Sequence, residues 1–208
     1  MIKTAIIDYG MGNLDSVFRA VEINGGYPFI VNNSKDLESA THIIIPGVGA
    51  YSAGMKNLNK SGLVEPIKNK VTKNKIPLLG ICLGMQLLSE LGYEGGETTG
   101  LGLIKGEVKL LKPQNKKEHI PHVGWNEVIY KKNSALFNDI SSGKDFYFVH
   151  SYHFTCQNKN NILTTTPYCK DFVSAVIKEN IFGVQFHPEK SQKYGLKLIK
   201  NFLNFRYA

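Results

Sequence analysis

Residues 76–91 read Ile-Pro-Leu-Leu-Gly-Ile-Cys-Leu-Gly-Met-Gln-Leu-Leu-Ser-Glu-Leu. The apolar run 76–81 suits a strand buried on both faces, with Pro77 tolerable only near its start. Residues 84–91 predict a helix. Between them stands Gly80-Ile81-Cys82-Leu83-Gly84. A strand running into this pentapeptide and a helix running out of it form the context of a nucleophile elbow, here with Cys in place of Ser. The glycines let the chain turn sharply and expose the residue at the tip. A helix starting right after Cys82 points free N–H groups and its positive dipole end at the sulfur, and both favour the thiolate. The N–H of Leu83 is then placed to meet an oxyanion. The competing reading is a buried cysteine between two packing glycines.

Outward from this stretch the pattern repeats. Strands are predicted over 3–9, 27–31 and 42–45, a helix over 13–24, and a helical turn over 35–39. Helices over 51–73 are expected to break near Gly62 and Pro66. This β-α-β-α alternation argues for a parallel sheet with helices on both faces. Beyond Gly92 the character changes. Gly95-Gly96 and Gly100-x-Gly102 mark a loop, and six β-branched and aromatic segments follow, at 107–111, 125–130, 145–154, 162–166, 172–178 and 181–186. An amphipathic helix over 195–205 closes the chain. The expected fold is α/β: a mostly parallel central sheet flanked by helices, with additional antiparallel strands, in a single domain over 1–208. There is no internal repeat and no low-complexity linker.

Composition narrows the function classes. The chain has 208 residues, 42% of them hydrophobic and 20% charged, enough for one sizeable core. No apolar run approaches the ~20 residues needed to span a bilayer, and the first residues turn acidic at Asp8, too early for a signal peptide. A cytoplasmic protein is expected, with no membrane contact. The net charge of +8 raises the question of nucleic acid. The basic residues are nearly all scattered Lys, with Arg only at 19 and 206. A specific reader would carry Arg forks and aromatic platforms, so no nucleic-acid partner is expected. Cys82, Cys156 and Cys169 include no C-x-x-C spacing, which argues against a zinc or redox motif. No metal or cofactor is expected.

A cysteine nucleophile needs a base, and six histidines are present. His187 lies in Gln185-Phe186-His187-Pro188-Glu189, at the end of an apolar strand. Parallel strands end at one edge, where elbows and ligand sites collect. Glu189 is close enough to orient the imidazole, completing the logic of nucleophile, base and orienter. Taken alone, His187 reads equally as a satisfied histidine at a strand end. Asp8-Tyr9-Gly10-Met11-Gly12-Asn13 invites a dinucleotide reading, but Asp15 occupies the third glycine position and the fingerprint fails. A turn whose exposed residues, such as Asn13, touch a partner is preferred. Trp125, the single Trp, is either a core residue or an exposed interface anchor.

The stretch 80–86 (GICLGMQ), with Phe186-His187-Pro188-Glu189 about a hundred residues later, resembles the class I glutamine amidotransferases. DYGMGN at 8–13, PGVG at 46–49, PHVGWN at 121–126, YFVHSY at 147–152 and PEKS at 188–191 extend the likeness over essentially the whole chain. They are similar to the members that feed ammonia to a (β/α)8-barrel synthase. The resemblance implies that family's fold and a Cys82-His187-Glu189 triad that hydrolyses L-glutamine. It also implies an oxyanion hole of the Leu83 and Val48 N–H groups, the latter in a glycine-rich, switchable stretch. Gly49, Gln86, His150, Ser151 and Tyr152 would hold glutamine. Asn13, Trp125 and Lys190 would face the barrel subunit in a heterodimer, with Lys190 at the ammonia exit. Two branches of the family fit: one making imidazole glycerol phosphate in histidine biosynthesis, the other supplying ammonia for amidino groups on surface sugars. Val123 stands where methionine is common, and His153 and Phe154 also depart from the pattern. None of these touches the triad.

Overall fold

A computed structural model describes residues 1–207. Its elements follow in chain order as β1 (Lys3–Ile7), α1 (Leu14–Ile23), β2 (Tyr27–Val31), β3 (His42–Gly47), α2 (Tyr51–Lys60), α3 (Val64–Thr72), β4 (Leu78–Cys82) and α4 (Leu83–Gln86). Short strands β5 (Leu91–Gly92) and β6 (Thr98–Thr99) come next, then β7 (Gly106–Leu110), β8 (His122–Tyr130), β9 (Lys144–His150) and β10 (Tyr152–Cys156). The chain ends with β11 (Ile162–Pro167), β12 (Asp171–Lys178), β13 (Ile181–Val184) and α5 (Gln192–Asn204).

Five strands, in the order β2-β1-β3-β4-β13, run parallel. The sheet continues through β12, β10 and β7 in antiparallel pairings, and β11, β8 and β9 branch from β12. The expected α/β sheet with antiparallel additions is the observed architecture. Alternation along the strands divides the core. Ala5, Ile7, Ile43 and Ile45 face α2 and α3 through Met55, Leu58, Ile67 and Val71. Ile6, Ile44 and Leu79 face the other way, onto Val17 and Val21 of α1 and Leu198, Phe202 and Leu203 of α5. Strands buried on both faces in this way read as unbroken apolar runs.

Some expected boundaries move. The helix expected over 84–91 ends at Gln86. The carbonyls of Leu87, Leu88 and Ser89 are taken by backbone N–H groups of residues 101–104, and Leu91–Gly92 pairs with β7 as a strand. Tertiary pairing overrides local helical preference here. Pro66 does not break a helix; it sits in the first turn of α3, where a missing N–H costs nothing. The expected strand 145–154 is two strands divided at Ser151, and that interruption turns Ser151 toward the cleft described below.

Candidate active site

The parallel strands place the C-terminal ends of β3 and β4 side by side, with Gly47 opposite Cys82 in the register. Cys82 adopts φ 53° and ψ −109°, a conformation a non-glycine residue holds only when its surroundings enforce it. The enforcement is close packing. A Cβ on Gly84 would lie 1.8 Å from the Ile45 carbonyl oxygen, and one on Gly80 would lie 2.6 Å from the Gly84 carbonyl oxygen. Both positions exclude any side chain, so strand and helix approach closely enough to force the elbow. Leu83 opens α4, and its N–H is among the first-turn donors without an intrahelical acceptor.

His187 follows β13, the strand on the other side of β4. Its Nδ1 is 2.7 Å from Glu189 Oε1, with the two side chains 3% and 2% exposed. The turn carrying them is fixed at several points. The His187 N–H donates to the Tyr147 carbonyl at 2.9 Å. Ser191 Oγ donates to the His187 carbonyl at 2.6 Å and accepts the Tyr147 N–H at 3.0 Å. His187 Nε2 is buried and makes no hydrogen bond of good geometry. Burial opposes the imidazolium, but proton sharing with Cys82 and Glu189, and the negative charge of each, outweigh it. The His187 pKa is raised to about 10. A protonated imidazole beside a cysteine is the setting that a thiolate nucleophile uses.

Cys82 opens onto a cleft of about 390 Å³. Val48, Gly49, Leu83, Gln86, His150, Ser151 and Tyr152, all expected around the reaction, line it. Gln86 Nε2 donates to the Tyr152 carbonyl at 2.9 Å and to Gln185 Oε1 at 3.0 Å, leaving its own carbonyl oxygen unengaged by those bonds. His150 Nδ1 is 2.9 Å from the same Tyr152 carbonyl, and a carbonyl only accepts, so Nδ1 carries the hydrogen. Its Nε2 therefore accepts from His122 Nδ1 at 3.2 Å. Burial lowers the His150 pKa to about 3, and the His122 pKa to about 4, keeping both rings neutral.

The Val48 N–H donates to the Met11 carbonyl at 3.1 Å. In this arrangement the second expected oxyanion donor is already engaged. Gly49, next in the chain, has φ +106°, and a Cβ there would meet the Met11 methyl at 2.8 Å.

Two residues at the site lie outside the sequence expectations. Glu94 comes from the glycine-rich loop and accepts the Tyr51 N–H at 3.1 Å. Burial pushes its carboxyl above the usual range, against the bond from Tyr51. A carboxylate there suits the ammonium group of an amino acid, but a lone Glu in a loop carries no sequence signal. Gln185 is fully buried, and its Nε2 lies 3.6 Å from Cys82 Sγ. Its spacing of two from His187 is the available signal, since extended chain returns to the same side at that period.

The residues expected at an interface lie at the surface. Trp125 is 49% exposed and Val123 57%, which removes the core reading of Trp125. Trp125 stands edge-on to Tyr147 at 6.0 Å, and the Lys190 ammonium lies 6.0 Å from the Tyr147 ring centre, making one continuous patch. Asn13 is exposed and caps α1, accepting the Ser16 N–H at 3.4 Å. Among the described residues no helix is long and apolar enough to cross a membrane.

A cysteine elbow on a doubly covered parallel sheet, backed by a His-Glu pair, defines a class of cysteine-dependent enzyme. The family described as Glutamine amidotransferase class-I matches residues 5–205, and the chain belongs to that family. It is 47% identical to imidazole glycerol phosphate synthase subunit HisH 2 of Methanococcus maripaludis, over 96% of this chain and 98% of that one. It is 48% identical to subunit HisH of the same synthase from Aquifex aeolicus, over 97% and 96% respectively. Among solved structures, PurLQS from Thermotoga maritima superposes with a TM-score of 0.73 at 22% identity, covering 97% of each chain. At that identity the likeness speaks for the fold alone.

Proposed function

We propose that the chain is the glutaminase subunit of an imidazole glycerol phosphate synthase, a single domain acting in the cytoplasm as half of a heterodimer. It hydrolyses L-glutamine to L-glutamate and channels ammonia to a (β/α)8-barrel cyclase. That partner then makes imidazole glycerol phosphate and AICAR from PRFAR in histidine biosynthesis. The observation carrying this reading is the strained Cys82 elbow opening on an amide-lined cleft, with the buried His187–Glu189 pair behind it. The synthase names of the relatives favour the histidine branch over sugar amidination.

In the proposed reaction the Cys82 thiolate attacks the side-chain carbonyl carbon of glutamine. The oxyanion is met by the Leu83 N–H and, once the Gly47–Val48 peptide turns over, by the Val48 N–H. His187 gives its proton to the departing nitrogen, and ammonia leaves with a thioester behind. His187 then takes a proton from water, which attacks the thioester; the carbon–sulfur bond breaks and glutamate is released. Glu189 orients His187 throughout. The bond from Val48 to Met11 supports a resting state lacking one oxyanion donor, a deficit of 10²–10³-fold in rate by ~3–4 kcal/mol. The patch of exposed Val123, Trp125 and Lys190 around half-buried Tyr147 is the proposed docking face for the barrel.

The test is glutamine hydrolysis by the pure subunit, by the subunit with its barrel partner, and by that complex with the partner's ligand. Rates are expected to rise in that order; equal rates in all three would sink the switch. Cys82→Ser is expected to abolish glutamine-dependent synthesis while added ammonium salt still supports it. Normal glutamine turnover by that variant would end the assignment.

A further inference from the structure

The carboxamide of Gln185 is locked in one orientation. The Tyr152 carbonyl can only accept, and it receives Gln86 Nε2 at 2.9 Å and His150 Nδ1 at 2.9 Å. Gln86 therefore presents its N–H groups to that carbonyl and to Gln185, whose facing atom must be the oxygen, at 3.0 Å. The Gln185 amide nitrogen is thereby turned onto Cys82 Sγ at 3.6 Å. A backbone carbonyl thus dictates, through two side-chain amides, that the sulfur meets a donor.

Thiol and thiolate need different neighbours. The neutral thiol donates to the Val149 carbonyl at 3.8 Å. A thiolate has no hydrogen to give and meets that carbonyl as one acceptor against another. It needs N–H groups. His187 Nε2 can carry one, but it has no hydrogen-bond partner in this structure and must surrender its proton to the leaving nitrogen during the proposed reaction. The Gln185 N–H does not titrate. It stays a donor both when the thiolate forms and when the thioester breaks and the electron pair returns to sulfur.

We propose that Gln185 is a further catalytic residue, whose amide N–H stabilises the Cys82 thiolate while its oxygen anchors Gln86 at the cleft wall. The role on the sulfur stands on the geometry alone; the role through Gln86 rests on the glutaminase reading. Gln185→Leu removes both bonds, and Gln185→Met is a second apolar replacement of similar length should the first fail to fold. Gln86→Leu separates the two roles, since Gln86 has no bond to the sulfur and acts on it only by orienting Gln185.

The experiment is alkylation of Cys82 by iodoacetamide as a function of pH, followed by peptide mapping so that Cys156 and Cys169 do not interfere. Glutamine kinetics of the complex with the barrel subunit are measured alongside. Hydrogen bonds to charged groups predict that the acid limb for either Gln185 variant moves up by about one pH unit. Glutaminase kcat is expected to fall roughly tenfold and KM to rise. Gln86→Leu is expected to raise KM and, because it frees the Gln185 carboxamide to turn over, to move the alkylation limb in the same direction by less than the Gln185 variants do. Alkylation profiles of the Gln185 variants superimposable on the wild type would overturn the proposal. Wild-type complex that fails to hydrolyse glutamine would instead overturn the glutaminase reading, while the alkylation profiles still decide Gln185.

Discussion

Replacing Glu189 by glutamine tests the proposed relay with the least change of shape. The carboxylate accepts from His187 Nδ1 at 2.7 Å with both side chains almost fully buried. A hydrogen bond to a charged group in such a place is worth about 1.5–3 kcal/mol, so glutaminase kcat should fall roughly ten- to a hundredfold. A second cost falls on stability. Glu189 Oε2 is buried without a partner, and in Glu189→Gln the new amide would put an N–H₂ there with nothing to accept its hydrogens, costing about 1–3 kcal/mol. The pH dependence has a definite sign. The His187 pKa is raised to about 10, and Glu189 is among the causes that raise it. The folded state therefore holds a proton that the unfolded chain releases near its ordinary pKa of ~6.5. That contribution is complete below the unfolded value and is lost as pH rises through about 10. In Glu189→Gln the alkaline limb of glutaminase activity should move to lower pH, and the stability deficit against wild type should narrow toward pH 10. His187→Ala should cost more, of order 10²–10⁴-fold, and the double variant should be no slower than His187→Ala alone. Multiplicative losses, or an alkaline limb that stays in place, would refute the relay.

Gly84→Ala sets a methyl 1.8 Å from the Ile45 carbonyl oxygen, and chemical denaturation should show a loss of about 3 kcal/mol or more, or no folded protein. Unchanged stability would mean the elbow is not held by that contact. Trp125→Ala should weaken binding of the barrel subunit by about 2 kcal/mol in calorimetry, while leaving the melting of the free chain nearly unchanged because half the ring is solvated. Burial lowers the pKa values of His42, His122 and His150 to about 4, 4 and 3, so each is neutral in the fold and takes up a proton on unfolding below ~6.5. Stability should therefore fall as pH drops from ~6.5 toward about 4, by up to about 1.4 kcal/mol per pH unit for each ring, and a flat denaturation midpoint across that range would contradict the neutral assignments.

The parallel half of the fold was readable because its strands are buried on both faces. An apolar run such as Ile43–Ile44–Ile45 declares itself without needing its neighbours. The antiparallel half was readable in content but less so in division. Nothing local separates His150 from Tyr152; the break at Ser151 arises because β9 pairs β8 while β10 pairs β7. The helix after Gln86 was overestimated for the same reason, since its carbonyls are claimed by a loop more than ten residues on. Within the site, glycine spacing announced the elbow, because close backbone approach admits no other residue. Glu94 and the lock between Val48 and Met11 could not be foreseen, because each depends on which loops the sheet edge gathers. Gln185 lay in plain view beside His187, but its task is set by Tyr152, a residue from another strand.

The two halves of the proposed catalytic machinery differ in how much a docked partner can change them. Tyr147 lies opposite Trp125 in the β8–β9 register and holds the His187 turn through its carbonyl at 2.9 Å and, by way of Ser191 Oγ, through its N–H at 3.0 Å. That route is tied down at both the N–H and the carbonyl of Tyr147. The oxyanion strand is different. Its Val48 N–H is satisfied by Met11 in one orientation, and a tetrahedral oxyanion would satisfy it in the other. Val48 is 42% exposed, and Met11 lies two residues from the exposed Asn13, so this bond lies close to the surface that a partner would contact. A partner alters an equilibrium only where its contacts differ between two states. The proposed switch gives the Gly47–Val48 peptide a second orientation, so docking should act by releasing the Val48 N–H from Met11. In the proposed complex Asn13 is the contact residue best placed to start that release, and Lys190 and Trp125 would hold the barrel where it can occur.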